Sequence, residues 1–236
     1  FLIEKGGDVN KRHATSATPL DAAARSRLPS LIEILIDAGA DPNAADNDGF
    51  FPLLHAINRN HVPSVEALIK GGADIEKRTK AGITPLSWAI GDSKFFAAKA
   101  LVDLGADVNS KSGYENVTPL MVLATQLAAR TRSGLIAQGP QPLELAQLVI
   151  EKGADVNVTS KDGITALMIA AGHNNAPLIA LLGKNGAAIG VKSAIGQTAR
   201  DIAKSGGFQS AVGAIDMIAR GTSGSETGTP PEPMPN

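Results

Sequence analysis

The sequence predicts an all-α solenoid of helix-turn-helix units joined by β-hairpin-like loops and stacked into a curved array. Two recurring motifs and their common period predict it. Gly39-Ala40-Asp41 returns as Gly72-Ala73-Asp74 and Gly105-Ala106-Asp107 at intervals of 33 residues. It returns at Gly153-Ala154-Asp155 after 48 residues and, weakened, at Gly186-Ala187-Ala188 after another 33; Gly6-Gly7-Asp8 lies 33 before the first. The second motif keeps the same beat as Thr18-Pro19-Leu20, Phe51-Pro52-Leu53, Thr84-Pro85-Leu86, Thr118-Pro119-Leu120, Thr165-Ala166-Leu167 and Thr198-Ala199. Independent motifs in one register mean that a single supersecondary unit is repeated and stacked.

Each part of the unit has a local cause. Thr before Pro starts a helix: the hydroxyl oxygen caps a free N–H, and the proline ring is preset for the first helical position. Small residues follow, such as Ala22-Ala23-Ala24 or Ala170-Ala171. A second apolar run comes about a dozen residues on, with helical spacing: Leu31, Ile34, Leu35; Val65, Leu68, Ile69; Leu148, Val149, Ile150. The glycine after each run takes the left-handed conformation that ends a helix. A short extended stretch and a turn such as Asp48-Gly49 or Asp162-Gly163 complete the unit. First helices carry small residues and second helices larger ones, so the stack is expected to curve with first helices and loop tips lining its concave face.

These residues resemble the ankyrin repeat family, in which TPL opens one helix and GADVN closes the next over 33 residues. The resemblance runs from Phe1 to about Gly221 and implies a protein–protein interaction module. The family usually has His after TPL, whereas this chain has Asp21, Leu54, Ser87, Met121, Met168 and Asp201 there. Phe51 replaces a capping Thr, which costs on the order of 1 kcal/mol unless something compensates.

The register divides the chain into the end of a truncated repeat (1–13), repeats at 14–46, 47–79 and 80–112, a longer repeat at 113–160, a repeat at 161–193, a capping repeat at 194–221, and a flexible tail at 222–236. Phe1-Leu2-Ile3 falls where a second helix should be ending, so a longer parent chain is expected. The 113–160 repeat has one extra residue in its tip near Tyr114–Val117 and an insertion between its helices near 126–142. Insertions in solenoids map to loops that either bind or are tolerated as surface length.

Composition excludes several classes of function. With 43% hydrophobic residues the chain folds, and a net charge of −1 gives no overall drive toward nucleic acid or acidic membranes. No apolar run approaches the roughly 18 residues of a spanning helix. Zero cysteines remove disulfides, thiolate metal sites and cysteine nucleophiles. His13, His55, His61 and His173 fall in different repeats, and no HExxH, GxSxG or phosphate-cradling GxxxxGK[ST] occurs. The expectation is a non-catalytic module with no cofactor or bound metal. The row of Asp residues repeats because of loop geometry rather than acid–base chemistry, and His55 sits in a first helix as packing.

The partner surface is expected on loop tips and first helices. Phe50 and Tyr114 stand at tips as aromatic anchors, although Phe50 also fits as packing on the adjacent tip; Trp88 reads as core, with the concave first-helix lining as the alternative. Asn58, Arg59 and Asp92 end first helices, and Ile83 and Glu115 lie at tips. Lys11-Arg12, Lys77-Arg78, Lys80 and Lys111 form a basic row that suits an anionic protein partner or is a solvated loop face, broken by Ala44-Ala45 and Val158-Thr159. Arg130 and Arg132 add cations in the insertion. Alternative readings are the recognition arm of an enzyme whose catalytic domain precedes residue 1, or a structural spacer in an assembly. Nucleic acid is disfavoured, since no stacking aromatics interleave with the short basic row. Excising Gly134–Gln141 should leave thermal unfolding cooperative; loss of folding would make that segment structural.

Overall fold

Helices begin at the residues that cap them. The computed structural model describes residues 5–133 and 142–223 of the 236, with the backbone alone at 128–133 and 222–223. The expectations for Phe1–Ile3, for 134–141 and for most of the tail lie outside the described residues, as do the side chains of Arg130 and Arg132.

The chain forms two units. The first, Phe1–Asp155, holds four helix pairs: α1 (Pro19–Arg25) with α2 (Pro29–Asp37), α3 (Pro52–Asn58) with α4 (Val62–Lys70), α5 (Pro85–Gly91) with α6 (Phe95–Asp103), and α7 (Pro119–Ser133) with α8 (Pro142–Glu151). The second, Val156–Asn236, holds α9 (Ala166–Gly172) with α10 (Ala176–Lys184) and α11 (Ala199–Ser205) with α12 (Gln209–Ser223). Within each unit first helices pack on first helices and second on second, as α1 on α3 or α10 on α12. No strand occurs among the described residues. The hairpin-like tips are turns closed by backbone bonds, Asp46 N–H to Phe50 O at 2.7 Å and Thr79 N–H to Ile83 O at 3.0 Å. In the next tip Ser112 N–H reaches Val117 O at 2.8 Å around one more residue, and Asn116 takes a left-handed φ of 54° to make room.

Hydroxyls of Thr84, Thr118 and Thr165 accept the N–H three residues on, at 3.4, 3.4 and 3.2 Å. Thr18 and Thr198 go further. Asp21 and Asp201 reach back to their backbone N–H groups at 2.7 and 3.0 Å, completing capping boxes. Phe51 caps nothing through its side chain. Instead its ring is 1% exposed and lies under Lys77 Nζ, 5.6 Å from the centroid. Burying a Phe is worth about 1.5–3 kcal/mol, which outweighs the cap of about 1 kcal/mol that it forgoes.

The core runs through Leu20, Leu53, Leu86 and Leu120 of the first helices and Ile32, Leu68, Leu101 and Val149 of the second, all buried. In the second unit α12 crosses so near α10 that a Cβ on Gly183 would collide with Ile218. Arg200 grips Asp216 at 2.6 and 3.0 Å, tying α11 to α12 and holding that carboxyl below its ordinary range.

The insertion differs from the expectation of a loop between two helices. Helix α7 has 15 residues where α1, α3 and α5 have 7, so Gln126–Ser133 continues the first helix. Gln126-Leu127-Ala128-Ala129-Arg130 is made of strong helix formers, with nothing to stop the helix there. Helix α12 also runs to 15 residues, taking Thr222 and Ser223 out of the predicted tail.

Adjacent turns are joined by side-chain amides. In the first unit Asn10 donates to Gly39 O at 2.9 Å and accepts from Asp41 N–H at 2.9 Å. Asn43 repeats this with Gly72 and Asp74 at 3.0 and 2.8 Å, and Asn109 with Gly153 and Asp155 at 2.9 and 2.8 Å. Asn157 does the same in the second unit with Gly186 and Ala188. At the equivalent place Glu76 accepts from Asp107 N–H at 2.8 Å but, ionised, has nothing to donate. Burial raises its carboxyl above the ordinary 4.5, the bond from Asp107 N–H opposing. An acid with a raised native pKa loses stability as pH rises through that value. Glu76→Asn should therefore stabilise the fold at pH 7 by about 1 kcal/mol. It should also weaken the gain in stability that the parent shows on acidification toward 4.5, measured by urea unfolding against pH.

Candidate partner-binding surface

The register sets side chains from successive first helices beside one another. Ala22, His55, Trp88 and Val122 occupy one position, and Arg25, Asn58, Gly91 and Thr125 another. Long polar residues at one position reach the next repeat. Arg25 Nη2 lies 3.0 Å from His55 Nε2 and 3.5 Å from Asp46 Oδ2. A guanidinium only donates, so Nε2 accepts and the ring proton sits on Nδ1. One unit on, Trp88 Nε1–H donates to Asn58 Oδ1 at 2.8 Å.

Phe50 lies over this pair of links. Its ring stacks on His55 with centroids 5.8 Å apart and meets Trp88 edge-on at 5.4 Å. Asp46 aims it there, accepting the N–H groups of Asp48 and Phe50 on Oδ1 at 3.0 and 2.9 Å. Phe50 and Trp88 are half-buried, while His55 beneath them is buried. Burial, reinforced by Arg25, lowers the His55 pKa below its ordinary 6.5, and Asp21 and Asp46 pull the other way.

The remaining predicted residues divide. Asn58 belongs to this cluster. Lys80 lies across Gly49, where a Cβ would meet its side chain, and donates to Asn47 O at 2.5 Å, joining two tips. Arg59 is exposed and its Nε donates to Arg25 O at 2.9 Å. Arg78 donates to Gly82 O and Lys111 O at 2.9 and 2.6 Å. Arg12 makes the same link to Ala45 O at 2.8 Å, so Arg12, Arg78 and Lys80 of the basic row are engaged with carbonyls of neighbouring tips. Ile83 is half-buried, and Asp92 pairs with Lys94 at 3.3 Å. Tyr114 is 83% exposed beside exposed Glu115, on a tip apart from the Phe50 cluster.

Of the two places that fit Trp88, core and first-helix lining, it takes the second, because its indole N–H needs a partner and Asn58 supplies one beside solvent. Arg25, Asp21 and Asp46 were not singled out. The shared register position of His55 and Trp88 was the available signal. No group of His, Asp and Glu among the described residues is arranged to hold a metal ion, and no helix among them is long and apolar enough to cross a membrane.

Trp88 is the sole tryptophan, so its emission reports on this cluster. Asn58→Ala and Phe50→Ala should each shift it to the red while far-ultraviolet dichroism holds. An unshifted spectrum in both would contradict the packing described.

The model for ankyrin repeats (3 copies) matches residues 20–112 and 53–129, and that for ankyrin repeats (many copies) matches 149–203. No curated protein sequence matches the chain. Among solved structures, the ankyrin repeat domain of Bcl-3, a member of the IkappaB protein family, is similar at 25% identity and TM-score 0.77, covering 91% of this chain and 89% of that one. One chain in the structure of the complex between the Bd0816 predatory endopeptidase from Bdellovibrio bacteriovorus and immunity protein Bd3460 is similar at 25% identity and TM-score 0.69, over 88% of this chain and 99% of that one. The human ASB11 ankyrin repeat domain shares the fold at 23% identity and TM-score 0.71, over 90% of each chain. Periodicity, caps, turn bridges and family models agree: the chain belongs to the ankyrin repeat family.

Proposed function

We propose that this chain binds another protein through the tips and first-helix face of α1, α3 and α5, with no catalysis of its own. Ankyrin repeat domains are in general protein–protein interaction modules, and this chain carries that fold over most of its length. The observation that carries the placement is the Phe50–Trp88 pair. Two half-buried aromatic rings meet edge-on at 5.4 Å beside the cations Arg25 and Lys80. Preordered aromatics flanked by charge are the usual energetic anchors of interfaces, because little entropy is lost when they are covered. Tyr114, far more exposed, adds a second aromatic contact two tips on from Phe50. The similar Bdellovibrio structure is itself a complex of two proteins, which supports the reading by analogy. The basic row lends an anionic partner some support, tempered by its bonds to loop carbonyls.

Affinity capture with mass spectrometry identifies the partner, and calorimetry then tests the surface. Phe50→Ala with Tyr114→Ala should weaken binding about tenfold or more at unchanged helicity. Unchanged affinity would place the interface elsewhere, and the absence of any saturable partner would favour a spacer.

A further inference from the structure

We infer that His55 is a protonation switch for Arg25: the neutral imidazole holds the guanidinium in the seam between α1 and α3, and the imidazolium bonds Asp21 instead and releases Arg25 to solvent. Its use at a docking surface rests on the reading proposed above; the switch itself does not.

The groups around the ring define two arrangements. Helix α1 presents Asp21 and Arg25 to it, the loop before α3 presents Asp46, and Phe50 and α5 offer only the uncharged rings of Phe50 and Trp88. Asp21 is 1% exposed, and its Oδ2 takes both the N–H and the hydroxyl of Thr18, at 2.7 and 3.0 Å. Its Oδ1 is buried without a hydrogen-bond partner, an uncommon and costly condition. His55 Nε2 stands 3.7 Å from that oxygen and 3.6 Å from Asp46 Oδ2, just beyond bonding distance. In the neutral ring Nε2 is committed as acceptor to Arg25 at 3.0 Å and cannot serve Asp21.

A proton on Nε2 reverses this. Two donors of like charge then face each other at 3.0 Å, so one has to leave. His55 is 8% exposed and enclosed, whereas the Arg25 side chain is 43% exposed and free to swing outward. The new N–H faces the place that Arg25 leaves, and Asp21 Oδ1, at 3.7 Å from Nε2, is the nearby acceptor that still lacks a hydrogen bond. Burial and Arg25 hold the imidazole below its ordinary 6.5, so the change comes on acidification rather than at neutral pH. The sign for stability follows: a native pKa below the unfolded one gives stability that is full above 6.5 and is lost as pH falls toward the native value. Arg25, once released beside Phe50 and Trp88, is a bidentate donor for a carboxylate on a partner protein.

The test uses the free chain labelled with 15N, its His55 signals assigned with His55→Gln. At pH 7.5 the Nε2 resonance should be that of an unprotonated nitrogen. On titration it should protonate with a midpoint below 6.5, and the Arg25 guanidinium protons should lose their exchange protection at the same midpoint. Arg25→Gln should raise the midpoint and Asp21→Asn lower it; Asp46→Asn is the second variant, in case loss of the Thr18 capping box unfolds the first. A protonated Nε2 at pH 7.5, or a midpoint unmoved by Arg25→Gln, overturns the switch. A pentaglutamate peptide is the probe for the released cation and should perturb Arg25 signals only below the midpoint. Coupled titration without peptide uptake upholds the switch and counts against the docking surface instead.

Discussion

The packing of one repeat on the next depends on a side chain that reaches from turn to turn, an amide everywhere but at Glu76 among the described residues. An amide carries its donor and its acceptor on two separate atoms, so one Asn satisfies a carbonyl and an N–H of the following turn together. Asn10, Asn43 and Asn109 do this in the first unit, and the pairing fixes the step from one helix pair to the next. The Asp two residues before each Asn has the preparatory role. Asp41 Oδ1, for example, accepts the N–H of Asn43 at 2.8 Å and sets the turn from which the amide extends. Repeated acidic residues on these loops are thus explained by backbone needs and call for no chemistry.

Once that step is fixed, equivalent positions on successive first helices face each other across the seam. Side chains long enough to cross it find partners about one repeat away in sequence: Arg25 with His55, Asn58 with Trp88, and Gln126 with the carbonyl of Gly91 at 2.7 Å. Each first helix before α7 is only two turns long and buries its leucine against the core. The seam residues on its other side contribute little to that core, so a polar and aromatic relay is compatible with the fold. The aromatic cluster exists because Asp46 directs Phe50 inward over this relay.

Much of the architecture was legible in the sequence, because caps, helix-ending glycines and turn residues act on their own neighbours. Thr84 and Thr165 cap the helices they precede, as their position implies. The candidate surface was legible only in part. Phe50 and Asn58 could be placed at a tip and a helix end, but what they touch depends on residues about thirty positions away. Trp88 fitted both core and first-helix lining for that reason: its helix shows which side faces the core, not which neighbour offers an acceptor. The basic row was visible as charge, whereas its service to loop carbonyls emerges only when consecutive tips are set side by side. The lengthening of α7 was hidden because the repeat register ends the first helix near Thr125, whereas the strong helix formers that follow carry it on.

The enlarged fourth repeat has a consequence for how the chain finds its shape. Elsewhere the amide closes a segment of 29 residues, as from Asn10 to Gly39, but from Asn109 to Gly153 it spans 44. Loop closure varies only with the logarithm of length, so the longer span adds about 0.4 kcal/mol of entropic cost. Folding that spreads by nearest neighbours meets a slight kinetic step there rather than a barrier. Residues can therefore be added or removed at that junction at little cost in closure entropy.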